Sequence, residues 1–514
     1  MMNVPISNAS AILAALAIVT AAAAPSDGNV TTTASTYATY RATFVPHLFL
    51  TPADMKRFSA DELPPERWFH QKVDHFDTLD RSKFWQRFFI NATFFDATSG
   101  PVFVYIGGES PISPLDVVLG HHVELAEQHN ALVIAVEHRY YGKSWPTTDS
   151  STGNLRLLSS QQALADLATF LEHIHDKFRL SRSNPVITFG GSYPGALSAW
   201  LRMKFPSQVF AAVASSAPIR ARVGFFGYME VVSDSFGDEA VGGSPHCQAR
   251  IQQAFREVER VHQSDGGLDR LSRLFKACEP LTGDRDYVQL MQSLAGIFQG
   301  AVQYNNQVPL NVAKICRLFT GHGTSAIGHL AKLNDDLVRT FSSQCHSFSY
   351  DAMVQGLSNP TYSATSTDRQ WIFQTCAELG YYQECRFKHR CLFSERIDLN
   401  ASLRLCNDLF GMGEQQIFDS IEFTNTLYGG FHPGVSRILF VNGDIDPWHS
   451  LSILNEQHVQ RQKAVYIRGA SHCQDMKPST PDDSSALREG RLKIGKLVGK
   501  WIAESRNEHH DSAQ

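Results

Sequence analysis

Three short segments carry the residue types of nucleophilic hydrolysis. Ser192 follows an apolar run, Val186-Ile187-Thr188-Phe189, and the pair Gly190-Gly191. It precedes Tyr193-Pro194-Gly195 and a helix-compatible stretch from Ala196 to Leu201. A strand that turns sharply at a serine between small residues and enters a helix is the pattern of a nucleophile elbow. A bare serine hydroxyl is a weak nucleophile. The turn exposes its oxygen where a histidine can take the proton and backbone N–H groups can hold an oxyanion. The second segment, Asn442-Gly443-Asp444-Ile445-Asp446-Pro447-Trp448, supplies acids; the third, Gly469-Ala470-Ser471-His472, supplies a histidine. His472 would accept the Ser192 proton and return it to the leaving group, while an aspartate fixes the imidazole tautomer and stabilises its charged form.

A glycine-flanked serine alone is more often an ordinary turn. The specificity lies in the set, since Ser, Asp and His occur in the chain order of an α/β-hydrolase, each after its own strand-like run. On the residues alone, Asp444 and Asp446 are both candidates for the acid. His449 is a rival base, but it shares the acids' loop, whereas His472 follows a separate strand. Cys473 reads as a bystander thiol. The expected oxyanion donors are the backbone N–H of Tyr193 and one from Gly107-Gly108-Glu109, with Gly108 the candidate. The strict G-x-S-x-G pattern fails at Pro194. Proline lacks an N–H, but an N–H in the first helical turn has no partner within the helix.

Parallel strands and helices must position these loops. Val102–Ile106, Leu132–Val136, Val186–Phe189 and Phe210–Ala214 are short, apolar runs rich in β-branched or aromatic residues, which predicts buried strands. Ile438–Val441 and Ala464–Ile467 are two more. Residues 162–174 place Leu164, Leu167, Phe170 and Leu171 on one helical face, and a closing helix presents Leu487, Ile494, Leu497, Val498 and Trp501. Alternating strands and helices predict an α/β class with a largely parallel sheet. Between about Arg222 and Phe423 long amphipathic segments replace strands, which predicts an inserted, mainly helical cap. The expected division is residues 61–221 for the first part of the core, 222–423 for the cap, 424–505 for the second part and 506–514 for a tail.

A chain of 514 residues is long enough for a core and a large insertion. Its net charge of −5 gives no reason to expect nucleic acid as a partner. Residues 1–23 read as a secretory signal peptide: Ala11 to Val19 is an apolar core and Ala21-Ala22-Ala23 supplies small residues for cleavage. Residues 24–60 read as a leader or propeptide. Cys247, Cys278, Cys316, Cys345, Cys376, Cys385, Cys391 and Cys406 all fall in the insertion, as expected of a disulfide-stapled region in an oxidising compartment. Spacing alone does not choose among their pairings. No pair of short C-x-x-C knuckles occurs, so neither metal nor cofactor is expected. Asn29, Asn91 and Asn400 head glycosylation sequons.

Further segments give the chain a family likeness. Gln71-Lys72-Val73-Asp74-His75-Phe76, Gly107-Gly108-Glu109, Glu137-His138-Arg139-Tyr140-Tyr141-Gly142 and Gln162-Ala163-Leu164-Ala165-Asp166 join the three loops above, together with Trp371-Ile372-Phe373-Gln374-Thr375-Cys376-Ala377-Glu378. With these the chain resembles the serine peptidases that include lysosomal Pro-X carboxypeptidase, dipeptidyl peptidase II and thymus-specific serine protease. Gly380-Tyr381-Tyr382 and Ser471-His472-Cys473 lean toward the thymus-specific branch. The resemblance implies an α/β-hydrolase core with a helical cap, and exopeptidase action on peptides, often next to proline. It assigns the acid to Asp446 and the base to His472, and it makes Trp448, Glu109, Glu378 and Trp371 candidates for binding substrate. It also implies the pairings Cys376–Cys406, Cys247–Cys316 and Cys278–Cys345. Many relatives have Gly at 194 and Met at 196, where this chain has Pro194 and Ala196, which puts the proline preference in question. The Glu137-His138-Arg139 loop is expected to brace the site, as an adjacent acid and base readily pair.

The resulting expectation is a secreted or lysosomal serine exopeptidase with Ser192, Asp446 and His472 as its triad. Expected partners are peptide substrates; a homodimer is allowed, and neither nucleic acid nor, after signal cleavage, a membrane is expected. The alternatives are an esterase or lipase on the same scaffold and an inactive binding protein.

Overall fold

The computed structural model describes residues 58–59, 62–340, 343–363, 366–387, 390–456 and 462–512. The expected signal peptide, Asn29 and all of the leader except residues 58–59 lie outside this set.

One eight-stranded sheet organises the core, in the order β1-β2-β4-β3-β5-β6-β9-β10. The strands are β1 (Arg67–Lys72), β2 (Lys83–Asn91), β3 (Val102–Ile106), β4 (Leu132–Val136), β5 (Val186–Gly191), β6 (Ala211–Ser215), β9 (Ile438–Gly443) and β10 (Lys463–Ile467). From β4 to β10 every neighbouring pair is parallel. β1 and β2 form an antiparallel pair at one edge, and β2 is antiparallel to β4. The apolar runs of β3 and β4 follow from this layout, because a parallel sheet is covered on both faces.

On one face α1 (His121–His129) and the closing helix α14 (Ser485–Ser512) pack Val123, Leu125, Leu487, Ile494 and Trp501 against Phe103, Phe189 and Leu439. On the other, α2 (Ser160–Phe178) and α3 (Tyr193–Lys204) pack Leu164, Phe170, Leu197 and Trp200 against Val102, Val104 and Ile134. Ser159 caps α2 by accepting the Gln162 N–H at 3.2 Å, and Arg179, in the left-handed region, ends it.

Between β6 and β9 the chain leaves the sheet. A two-stranded sheet, β7 (Arg222–Gly224) with β8 (Gly380–Tyr382), frames helices α4 (Phe226–Ser235), α5 (Pro245–His262), α6 (Gly267–Leu274), α7 (Asp284–Gln303), α8 (Val312–Phe319), α9 (Ala326–Thr340), α10 (Tyr350–Leu357) and α11 (Asp368–Gln374). A π-helical turn at Thr375–Leu379 precedes β8, and α12 (Leu399–Phe410) and α13 (Glu414–Tyr428) return the chain to the core. Disulfides join Cys247 to Cys316, Cys278 to Cys345, Cys376 to Cys406 and Cys385 to Cys391. The architecture is an α/β-hydrolase core with an inserted, mainly helical, disulfide-stapled cap. The apolar interior of the cap, including Phe225, Tyr228, Leu294 and Phe298, is continuous with the α2–α3 side of the core.

Charged residues lock the edge of the core behind the site. Arg139 is fully buried and donates to both carboxylate oxygens of Asp166, at 2.7 and 2.6 Å, and to the carbonyls of Val73 and Leu157. Glu137, also fully buried, accepts from Arg87 at 3.2 and 2.5 Å, from the Ile112 and Lys143 N–H groups and from the Ser144 hydroxyl. The acid and the base of this loop therefore do not pair with each other. They point to opposite partners, and each buried charge is compensated in its own network.

Candidate active site

Ser192 stands between β5 and α3 with φ 63° and ψ −133°, a backbone conformation that L side chains rarely adopt. The neighbours are small because nothing larger fits. A Cβ on Gly190 would lie 2.1 Å from the Pro194 carbonyl oxygen, and one on Gly195 would lie 2.7 Å from the Ser215 oxygen. The Ser192 N–H donates to the Ser215 carbonyl at 2.9 Å, which fastens the elbow to the end of β6. Ser192 is 7% exposed, and its hydroxyl has no hydrogen-bond partner among the described residues. Catalytic hydrogen bonds are often loose in ligand-free structures and tighten around substrate.

Asp446 follows β9 and His472 follows β10. His472 Nδ1 lies 2.9 Å from Asp446 Oδ1, with both side chains essentially removed from solvent. The same Oδ1 accepts the Trp448 N–H at 3.0 Å. Asp444, the other acid of this loop, instead accepts the Gly469 N–H at 2.5 Å and shapes the turn ahead of His472. His449 places Nδ1 3.2 Å from the Gly443 carbonyl and stacks edge-on against Tyr466. The base loop abuts the elbow: the Cys473 N–H donates to Ser216 Oγ at 2.8 Å, and a Cβ on Gly191 would meet Cys473 Sγ at 2.8 Å. Burial pulls the His472 pKa down, but attraction and a hydrogen bond from Asp446 outweigh it and hold the pKa well above the ordinary histidine value. Burial pushes the Cys473 thiol up.

The two segments of the expected oxyanion donors meet at Gly108 and Pro194. The Pro194 ring packs onto Gly108, where an added Cβ would lie 2.2 Å from Pro194 Cγ. The backbone of the β3 loop thus comes directly against the first turn of α3, next to the Tyr193 N–H. The Tyr193 side chain turns away to bond His138 Nε2 at 3.0 Å. His138 Nδ1 lies 2.7 Å from the Arg139 carbonyl, and burial lowers its pKa to about 4, so the ring is neutral and accepts from the phenol.

The structure divides the expected substrate-binding residues. Trp448 sits in an aromatic box, with ring centroids 5.5 Å from Phe225, 5.6 Å from Tyr228, 5.3 Å from Tyr381 and 6.2 Å from His472. Trp371 is half-buried and lies 6.0 Å from the Tyr193 ring. Glu109 follows Gly108, and its Oε2 is buried without a partner among the described residues. Burial raises its pKa to about 6, with the nearby His472 charge acting in the opposite sense. Glu378 is placed differently. Its two oxygens accept from the Ser160 N–H at 3.1 and 2.9 Å and from the Ser160 hydroxyl at 2.9 Å, so it fastens the cap to the start of α2. Burial raises its pKa to about 7. The Asn91 amide donates to the Val117 carbonyl at 2.9 Å beneath the sheet, an arrangement that a glycan on that nitrogen would break; Asn400 is exposed on α12.

Sequence reasoning missed Gln303 and Gln307, which reach the base loop from the cap. Gln307 Nε2 donates to Ser471 Oγ and to the His472 carbonyl, both at 2.8 Å. No local pattern marks them, because their side-chain partners lie 75 or more positions away in the chain.

The family model described as "Serine carboxypeptidase S28" matches residues 71–494. Thymus-specific serine protease of Homo sapiens is 40% identical over 454 residues, covering 86% of this chain and 88% of its own. Probable serine protease EDA2 of Arabidopsis thaliana is 34% identical over 81% of this chain and 82% of its own. Lysosomal Pro-X carboxypeptidase of Mus musculus is 28% identical over 85% of this chain and 89% of its own.

Two outcomes are expected. Gly108→Ala should lower kcat about 100-fold by pushing the oxyanion loop off Pro194, and Pro194→Gly in the same chain should restore part of it; steady-state rates of the three variants check this. Asp446→Asn should lower kcat by about three to four orders of magnitude. Because His472 must be neutral to accept a proton and Asp446 raises its pKa, the acid limb of the kcat/KM profile should move to lower pH in that variant.

Proposed function

We propose, from the premise that this chain belongs to the serine carboxypeptidase S28 family and is a serine-type peptidase, that it is an exopeptidase working through an acyl-enzyme on Ser192. The observation that carries this reading is the buried Asp446–His472 pair, 2.9 Å apart, on a loop abutting the strained Ser192 turn. His472 takes the Ser192 proton as Oγ attacks the scissile carbonyl and passes it to the departing amine. The Tyr193 N–H and the Gly108 loop receive the oxyanion. A water then repeats the sequence on the acyl-enzyme, with His472 again as base. Asp446 keeps its charge throughout and stabilises the imidazolium that forms in each half.

The Trp448 box supports recognition next to proline, because flat apolar walls suit a pyrrolidine ring. Glu109 supports a cationic group on the peptide close to the scissile bond, since a free ammonium would satisfy the bare carboxylate oxygen. The name of the lysosomal Pro-X carboxypeptidase relatives and the expected signal peptide support a route through the secretory pathway to the lysosome or the exterior. Among the described residues, no helix is long and apolar enough to cross a membrane.

The decisive panel is an N-terminal Xaa-Pro amide, a C-terminal Pro-Xaa peptide and a simple acyl ester, each with the wild type and Ser192→Ala. Cleavage of one peptide, lost in the variant, is the expected result and identifies the end attacked. Ester turnover without peptide cleavage would point to an esterase. Absence of turnover together with absence of fluorophosphonate labelling would mean an inert serine. Glu109→Gln should reduce the preference for a free over an acetylated N-terminus by about tenfold, the size of a charge-assisted hydrogen bond. In the wild type that preference should grow as pH rises through about 6 and Glu109 ionises.

A further inference from the structure

Helix α7 enters from the cap and ends at Gln303 beside the loop of the base. The last carbonyls of a helix have no partner within it. The Gln303 carbonyl takes the backbone N–H of His472 at 3.0 Å. Its side-chain Oε1 accepts the indole N–H of Trp448 at 3.0 Å and the Tyr228 hydroxyl at 2.6 Å. Trp448 in turn gives its backbone N–H to Asp446 Oδ1 at 3.0 Å. One cap residue thus holds the acid's loop with its side chain and the base's backbone with its main chain.

The segment after α7 adds a second hold. Gln307 Nε2 bonds Ser471 Oγ and the His472 carbonyl, and Ser471 Oγ donates to the Asn305 carbonyl at 2.9 Å. Asn305 is itself fixed, its Oδ1 accepting the Val312 N–H at 3.1 Å where α8 begins. The bonds from Gln303 to Trp448 and His472, from Gln307 to Ser471 and His472, and from Ser471 to Asn305 join the cap to the second half of the core, and none touches Ser192. The elbow is fastened separately, through Ser215 on β6.

We propose that Gln303, assisted by Gln307, is a positioning residue for the Asp446–His472 pair, so that the cap sets the alignment of the base and does more than limit access. The proposal rests on the triad reading above. Its physical basis is the narrow tolerance of proton transfer. A base displaced by a fraction of an ångström loses most of its advantage, and remote misplacements of about 1 Å cost as much as 100-fold. The negative end of the α7 dipole also lies at the His472 backbone, where it favours an imidazolium in transit.

The test uses the full chain, a peptide substrate from the panel and a fluorophosphonate probe. Gln303→Met keeps the length and helical preference and removes the acceptor. It should lower kcat about tenfold with KM within about twofold, and slow labelling by a similar factor. The acid limb of kcat/KM should move to lower pH as His472 loses its alignment with Asp446. Gln303→Glu retains an acceptor for Trp448 and Tyr228 and should recover most of the rate. Gln307→Leu should lower kcat about threefold, one modest hydrogen bond's worth. An unchanged kcat in folded Gln303→Met overturns the proposal, as does a rise in KM alone, which would place the residue in the substrate pocket. Equal losses in the Met and Glu variants would also overturn it, by reducing the role to packing. If Gln303→Met does not fold, Gln307→Leu decides, and an unchanged rate there is fatal. Failure of the serine reading itself looks different, because the wild type would then not label at all.

Discussion

The positive φ of Ser192 is the constraint on which the site depends. A non-glycine residue held there costs about 1–2 kcal/mol, and the fold must supply it locally. It does so by close approach. Gly190 and Gly195 leave no room for side chains, the Ser215 carbonyl takes the Ser192 N–H, and Pro194 seats on Gly108. Ser216, Tyr381 and Cys473 also have φ between 49° and 65°, and all three lie on segments that touch the elbow, the aromatic box or the base loop. Positive φ also occurs away from the site, at Asn130, Tyr140, Arg179, Lys276, Asn306 and Arg437, and Ser192 differs from these in its ψ of −133° and in the close contacts around it. The parallel strands behind the site are mainly apolar, with Thr188 a buried exception whose hydroxyl bonds that of Ser198 at 2.7 Å.

Buried charge is the second organising element, and it is handled differently at the site and behind it. Glu137 and Asp166 each face an arginine and a set of hydrogen-bond donors, so they brace. Asp446 faces His472 Nδ1 through Oδ1, and its Oδ2 is buried with no partner among the described residues. Glu109 keeps an oxygen with no donor at all among the described residues. The fully paired acids hold the frame, and the incompletely paired ones are the groups whose charge can respond to a substrate.

Much of this was legible in the sequence. The strand ends at Val102–Ile106 and Leu132–Val136 coincide with β3 and β4, because both strands are covered on two faces and read as unbroken apolar runs. β1 and β2 were not legible as strands: Arg67, His70, Lys72, Lys83 and Trp85 face solvent at the sheet edge, so their runs mix polar and apolar residues. The elbow was legible because its turn demands small residues in fixed places. The acid was not, from residues alone, because Asp444 and Asp446 differ only in which partner the loop turns them toward, Gly469 or His472. The family resemblance makes both Trp371 and Glu378 candidates for binding substrate. A single π-helical turn separates them, and it directs the carboxylate back to Ser160.

The least legible layer is the one joining cap to core, since hydrogen bonds between residues far apart in the chain leave no periodic trace. That layer also bears on the meaning of Pro194. Its ring is rigid and in contact with Gly108, so local sterics fix how the loop after β3 meets the first turn of α3. The His472 segment is held from two sides: Gln303 and Gln307 reach it from the cap, and within the core the Cys473 N–H donates to Ser216 Oγ at 2.8 Å, the Ile445 N–H to the Ala470 carbonyl at 3.3 Å and the Ser471 N–H to Gln474 Oε1 at 3.1 Å. The cap's hold on His472 is therefore an addition to the core's, carried by residues that lie outside the sheet.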